Sequence, residues 1–197
     1  MADVRGSRLS TLLAIVACIL LSGALAQSDA VDAGKDVYAS NCASCHGADG
    51  AGVPGAFPPL AGHIAEIAAI DGGVDYLVQV LLFGLEGEIL VNGEVYSGVM
   101  PAWQHLTDER IAELTTYLVS EWGPGGVIEA DEVASQRELD LSPSDVHAQR
   151  ADLGLPMPEQ EQEALAVASF PASQASTGRS VYRNNCASCH GDDLRGN

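Results

Sequence analysis

Positive charge is what this 197-residue chain has least of: 9 Lys and Arg stand against 27 Asp and Glu, for a formal net charge of -18. So acidic a surface repels a polyphosphate backbone, and nucleic acid is excluded as a natural partner. The acidity itself leaves two readings open, a field that steers the protein to a basic docking face or a solvated surface that keeps it soluble. Long apolar runs are also missing. The one candidate, Thr11 to Leu21, is too short for a comfortable membrane-spanning helix. Aromatic residues make up only 5% of the chain, and Met occurs only as Met1, Met100 and Met157.

Cysteine is nearly as scarce, and its distribution is the sharpest signal. Of the 5 Cys, four fall in two identical strings, Cys42-Ala43-Ser44-Cys45-His46 and Cys186-Ala187-Ser188-Cys189-His190. Shuffling this composition produces one such string in roughly three of a thousand trials, so two copies are not coincidence. Two thiols three positions apart can add to the two vinyl groups of a haem while the next residue offers an imidazole nitrogen to its iron. That is the c-type haem attachment signature. A thioredoxin-like motif would want a strand before it and a helix after it, whereas His46 is followed by a Gly-rich loop. A zinc site would need the two pairs to converge across about 140 residues and would leave both His idle. The low aromatic content also makes sense if a large flat cofactor fills the core. With the fifth Cys, Cys18, in the leader, no disulfide is expected.

The first residues carry an export address. Arg5 and Arg8 form a basic start, the short apolar stretch follows, and Ala24-Leu25-Ala26 is a small-x-small cleavage site. Residues 1–26 therefore read as a signal peptide cut after Ala26. Two alternatives stay open: retention as an uncleaved anchor, and lipidation of Cys18 in the lipobox-like Ile15-Val16-Ala17-Cys18. Each outcome puts the chain in the periplasm or on the outer face of the cytoplasmic membrane, with membrane-surface association left open.

Gly34-Lys35-Asp36-Val37-Tyr38-Ala39-Ser40-Asn41 before the first string is echoed by Gly178-Arg179-Ser180-Val181-Tyr182-Arg183-Asn184-Asn185 before the second. Each reads as a short helix on which a second helix approaches closely at Gly and packs on Tyr. The first copy has a full domain around it, residues 31–122. Within it the pattern predicts helices near Ile64 to Ala69 and over Val74 to Phe83, the latter with Tyr76, Leu77, Val80, Leu81 and Phe83 on its apolar side. Asn92-Gly93 lies between the apolar-rich runs Ile89 to Val91 and Glu94 to Tyr96, the mark of a type I′ hairpin. Ser97 to Trp103 reads as loop. Thr107 caps a last helix whose buried stripe is Ile111, Leu114, Leu118 and Val119.

Residues 127–158 form a helical extension, with patterns over Ala130 to Leu139 and, opened by Ser142, Pro143 to Leu153. Residues 159–177, rich in Glu, Gln, Ala and Ser, read as a linker. Residues 178–197 are the incomplete start of a second haem domain. Twenty residues cannot enclose a haem, so the expectation is either the front of a longer dihaem chain or a degenerate, exposed second haem.

Met100 is the candidate sixth ligand of the first haem, since Met1 leaves with the signal peptide and Met157 sits in a Pro-Met-Pro turn taken to lie beyond the domain. A thioether opposite imidazole raises the potential and occupies both axial positions, leaving no place for a substrate on iron. His63, His105 and His147 read as surface or satisfied structural residues.

With these motifs in place the chain resembles a class I cytochrome c. More narrowly, Val53 to Ile67 and Gly98-Val99-Met100 are similar to the soluble cytochrome c of extremely thermophilic bacteria that feeds a haem-copper terminal oxidase. Asp131-Glu132-Val133 and Leu141 to Val146 resemble that family's C-terminal extension, which implies a tail wrapped over the haem domain. The resemblance implies an all-α class I cytochrome c fold around covalent haem c, with a small β-hairpin and a helical extension. It implies attachment at Cys42 and Cys45, iron ligation by His46 and Met100, and a Pro58 carbonyl that orients His46. The second motif would attach haem through Cys186 and Cys189, with His190 on iron. The implied function is electron transport without catalysis, between an electron donor complex and a haem-copper oxidase. The alternative is a dihaem peroxidase or the haem subunit of a periplasmic dehydrogenase.

Overall fold

Helix α1 (residues 27–41) runs directly into the first Cys-Ala-Ser-Cys-His string, which is itself a one-turn helix, α2 (Ala43–His46). The computed structural model describes residues 27–158, 178, 180–182 and 185. The expected signal peptide 1–26, the linker 159–177, and Cys186, Cys189 and His190 lie outside the described residues. The chain divides into two units, Met1–Met157 and Pro158–Asn197. In the second, residues 178, 180–182 and 185 are helical, and Asn185 Nδ2 donates to the Val181 carbonyl at 2.8 Å. Asn41 Nδ2 makes the same bond to the Val37 carbonyl at 2.8 Å, so the repeat extends to local geometry.

In the first unit α1 crosses α5 (Asp108–Trp122) at Gly34. A Cβ there would stand 2.0 Å from the Glu113 carbonyl oxygen, so only Gly permits the approach. One turn on, Tyr38 packs against Tyr117 and Trp122, with ring centroids 5.4 and 5.3 Å away. Helix α5 begins where Thr107 Oγ1 accepts the Arg110 N–H at 3.4 Å. Its stripe of Ile111, Leu114, Leu118 and Val119 is buried, each side chain worth about 1.5–3 kcal/mol relative to exposure.

Helices α3 (His63–Ala68) and α4 (Gly73–Phe83) complete the helical core. The sequence pattern gives α4 one apolar side, yet Val78 and Gln79 are buried as well. The reason is the extension. Helices α6 (Ala130–Arg137) and α7 (Pro143–Asp152) both pack on α4, and α6 also on α5. Val133 and Val146 are their fully buried anchors, and Gln79 Nε2 donates to Gln136 Oε1 at 2.7 Å. Arg137 reaches back to Asp108 at 2.7 Å and to the Gln104 and Leu106 carbonyls at 3.0 and 2.9 Å. Ser142 and Asp145 close a reciprocal capping box at the start of α7.

The hairpin joins β1 (Leu85–Val91) to β2 (Glu94–Met100), antiparallel, with Leu85 opposite Met100 and Gly87 opposite Gly98. Asn92 and Gly93 turn it with φ of 53° and 80°, both positive as a type I′ turn requires. The structure corrects one expectation here. Ser97 to Met100 is strand and not loop, because ladder pairing continues past the apolar runs through Gly87 and Gly98, which carry no strand signal of their own. A second correction concerns Met157, which is buried with Leu155 in this unit. Helix α7 returns the chain to the core, and the flanking prolines do not keep it out. Among the described residues, no helix is long and apolar enough to cross a membrane.

Candidate functional site

One cavity gathers Cys42, Cys45, His46 and Met100. The helix α2 turn supplies the first three: its bonds from the Cys45 and His46 N–H groups to the Cys42 carbonyl, 3.1 and 2.9 Å, fold the string into a compact corner. The fourth side chain arrives on β2, whose last residue is Met100. The backbone after it is fixed where the Trp103 N–H donates to the Leu81 carbonyl at 2.8 Å.

The donor set has a definite chemistry. Cys42 and Cys45 are both free thiols. Burial, and then the nearby Cys45, push the Cys42 thiol up to about 11, so it stands as S–H at neutral pH. His46 Nδ1 donates to the Pro58 carbonyl at 2.9 Å, which leaves Nε2 with the lone pair. Burial pulls its pKa below the usual range, against the opposing pull of that hydrogen bond. A neutral, oriented imidazole and a thioether therefore share one mostly apolar cavity with two thiols. Among the described residues, no three His, Cys, Asp or Glu side chains come together to hold a metal ion.

A second observation bears on the fit of haem, a set of buried nitrogens without partners that lies outside the residues lining this cavity. Arg150 on α7 is 1% exposed, and its Nε and Nη2 have no hydrogen-bond partner. Nη1 donates to the Tyr76 hydroxyl at 3.4 Å. No carboxylate among the described residues lies within 4.0 Å of the guanidinium. His63 Nε2 is likewise buried and unpartnered, while Nδ1 faces Glu66 at 3.1 Å. Burial lowers the His63 pKa, and the Arg150 charge presses it further down. The Arg150 donors without an acceptor fit an acid-bearing group, and haem carries two carboxylates, whereas His63, with Nδ1–H on Glu66, presents a lone pair at Nε2.

Sequence reasoning missed Arg150. Its signal was present: Val146, Arg150 and Leu153 follow i, i+4, i+7, which puts a guanidinium in line with the apolar stripe of α7. His63 is also corrected, being neither at the surface nor satisfied. His147 is a satisfied structural residue, 7% exposed, whose Nε2 donates to the Glu88 carbonyl at 2.8 Å. His105 is exposed and lies against Trp103 with centroids 5.5 Å apart.

The cavity mouth is apolar and uncovered. Val53, Phe57 and Val99 are 46%, 40% and 67% exposed, and Pro54, Ala56 and Ala102 are exposed beside them. Glu86, Glu88 and Glu94 on the hairpin are exposed too.

The model of the family described as "Cytochrome C oxidase, cbb3-type, subunit III" matches residues 29–118. A cytochrome c-552 of Thermus thermophilus is 46% identical over 148 residues, covering 72% of this chain and 97% of that protein. The cytochrome c subunit of a quinone alcohol dehydrogenase of Gluconobacter oxydans is 37% identical over 105 residues, 51% of this chain and 21% of the relative. The cbb3-type cytochrome c oxidase subunit FixP of Bradyrhizobium diazoefficiens is 27% identical over 164 residues, 83% of this chain and 40% of the relative.

Proposed function

Because this chain belongs to the class I c-type cytochromes and is an electron carrier rather than an enzyme, we propose that its cavity holds one haem c attached through Cys42 and Cys45, with His46 and Met100 as the axial pair. The observation that carries this reading is the convergence of those four side chains in one cavity. Cys42 and Cys45 would hold the group through thioether bonds to its two vinyl groups, an addition that consumes no oxidant. Bound there, haem supplies a one-electron iron couple. The Pro58 carbonyl holds the His46 ring in the tautomer that presents Nε2. Met100 would hold the iron opposite His46 through its thioether, a donor that raises the potential and leaves no place for substrate. Arg150, with the Tyr76 hydroxyl beside it, would receive a haem carboxylate away from water, from just beyond the residues that line the cavity.

Electrons leave and enter across the apolar mouth, where Val53, Phe57 and Val99 permit close approach without desolvating a charge. The partners are redox proteins. A haem-copper oxidase as acceptor and an electron donor complex upstream are supported by the likeness to cytochrome c-552 and to an oxidase subunit. The basic start and the Ala24-Leu25-Ala26 site support export to the periplasm. A second reading, the haem subunit of a periplasmic dehydrogenase, is favoured by the likeness to the alcohol dehydrogenase subunit and by Cys186, Cys189 and His190 as a second attachment site. It requires two haems per chain and reduction by an alcohol-oxidising partner.

The test compares wild type with Met100→Ala. Haem should stay on both chains through denaturing electrophoresis, and only the reduced variant should take up carbon monoxide rapidly. Haem lost from the wild type refutes covalent attachment; a wild type that binds carbon monoxide as fast as the variant refutes Met100.

A further inference from the structure

The Met100 end of the site is held from outside its own hairpin. A ribbon of two strands is marginal alone, and β1 and β2 form a sheet of only two, so its position depends on what grips its free edge. Helix α7 does so at one point. His147 Nε2 donates to the Glu88 carbonyl across 59 positions of sequence, satisfying a backbone acceptor that β2 does not use. The ring lies where Gly87 has no side chain. A Cβ on Gly87 would stand 2.5, 2.6 and 2.7 Å from Nε2, Cδ2 and Cε1 of the imidazole. Three ring atoms at nearly equal distance mean that the ring face covers the Gly87 α-carbon. Gly87 pairs with Gly98, and two residues away Leu85 pairs with Met100. All four line the cavity.

We propose that His147 is a positioning residue for Met100: by pinning β1 at Gly87 and Glu88 it holds the paired strand β2 where the Met100 sulfur meets iron. This rests on the reading of Met100 as an axial ligand. The argument is one of competition. An incoming base displaces the thioether when the strand swings away, and the swing must first break the His147 bond. Removing that bond shifts the equilibrium toward displacement by about fivefold, which is ~1 kcal/mol for one hydrogen bond at 1.4 kcal/mol per factor of ten.

The experiment titrates free imidazole into the ferric haem-loaded protein and follows the weak far-red absorption of thioether-ligated iron. His147→Leu keeps the bulk and loses the donor; His147→Asn keeps polarity but is too short to reach the carbonyl. Both should bind imidazole about fivefold more tightly than wild type, and His147→Gln, which keeps a donor, should return to within about twofold. Val119→Ala, a cavity in α5, should lower the melting temperature and leave imidazole affinity unchanged. Wild-type affinity in both the Leu and Asn variants overturns the proposal, and so does an equal change in Val119→Ala. Absence of the far-red absorption from the wild type itself overturns the Met100 reading and this inference with it.

Discussion

Replacing Arg150 by Leu should destabilise the haem-loaded protein by about 3–5 kcal/mol, and the sign of that change is more informative than its size. The guanidinium is 1% exposed, and its one hydrogen bond, to the Tyr76 hydroxyl, is 3.4 Å long. Nε and Nη2 have no acceptor among the described residues. Were they to face nothing, each would cost about 1–3 kcal/mol, and an apolar side chain of similar length would make the protein more stable. With a haem carboxylate against them the sign reverses, because removing one partner strands a buried charge. For a folded unit of this size about 2–4 °C accompanies each kcal/mol, so the melting temperature should fall by roughly 6–20 °C. Thermal or guanidinium unfolding of the holoprotein, followed by haem absorption, gives the value. Arg150→Lys should fall between wild type and Leu, since an ammonium keeps the charge but not the fork. The reduction potential of the Leu variant should drop as well, because withdrawing positive charge favours ferric iron. A Leu variant as stable as wild type, or more so, refutes the carboxylate role.

Val99→Glu puts a carboxylate at the most exposed apolar position of the mouth and should slow bimolecular electron transfer to the natural partner without altering the visible spectrum. An unchanged rate counts against this face. Gly34→Ala drives a methyl group to 2.0 Å from the Glu113 carbonyl oxygen and should lower stability by about 1–3 kcal/mol in denaturant titration, with haem attachment retained. The Ser142 hydroxyl and then the Ser142 backbone N–H hold the Asp145 carboxyl below its ordinary value of 3.8. A depressed acid adds stability above the unfolded pKa and loses it as pH falls through the folded one. Stability of wild type relative to Asp145→Ala should therefore be constant from neutral pH down to about 4 and vanish below; a gap that persists in strong acid contradicts the capping role.

Several features were legible because neighbours in the chain decide them. The two Cys-Ala-Ser-Cys-His strings name a cofactor by spacing alone, and Asn92-Gly93 can adopt positive φ at both positions, so the hairpin turn follows. Thr107 and Ser142 cap helices for the same local reason. Gly34 and Tyr38, one turn apart, announce a helix crossing, and α5 meets them there. Three readings went astray where distant segments compete for the same group. The loop expected before Met100 is strand, because backbone pairing with β1 outweighs the weak local preference of Ser97 and Gly98. The prolines around Met157 point to a turn beyond the domain, whereas the chain after α7 buries it. The polar neighbours of His63 point to a surface or satisfied structural residue, whereas α3 turns it inward and leaves Nε2 without a partner.

The amino-acid sequence by itself determined which cofactor this protein can take and which short segments coil or turn, since each depends on atoms a few bonds apart. Only the tertiary structure decided which face of α4 is covered, which arginine is stripped of water, and what holds the Met100 strand. Arg150 meets Tyr76 across 74 positions and His147 meets Glu88 across 59. Such contacts depend on burial and backbone valence summed over the whole fold, and no local pattern of residue types encodes that sum.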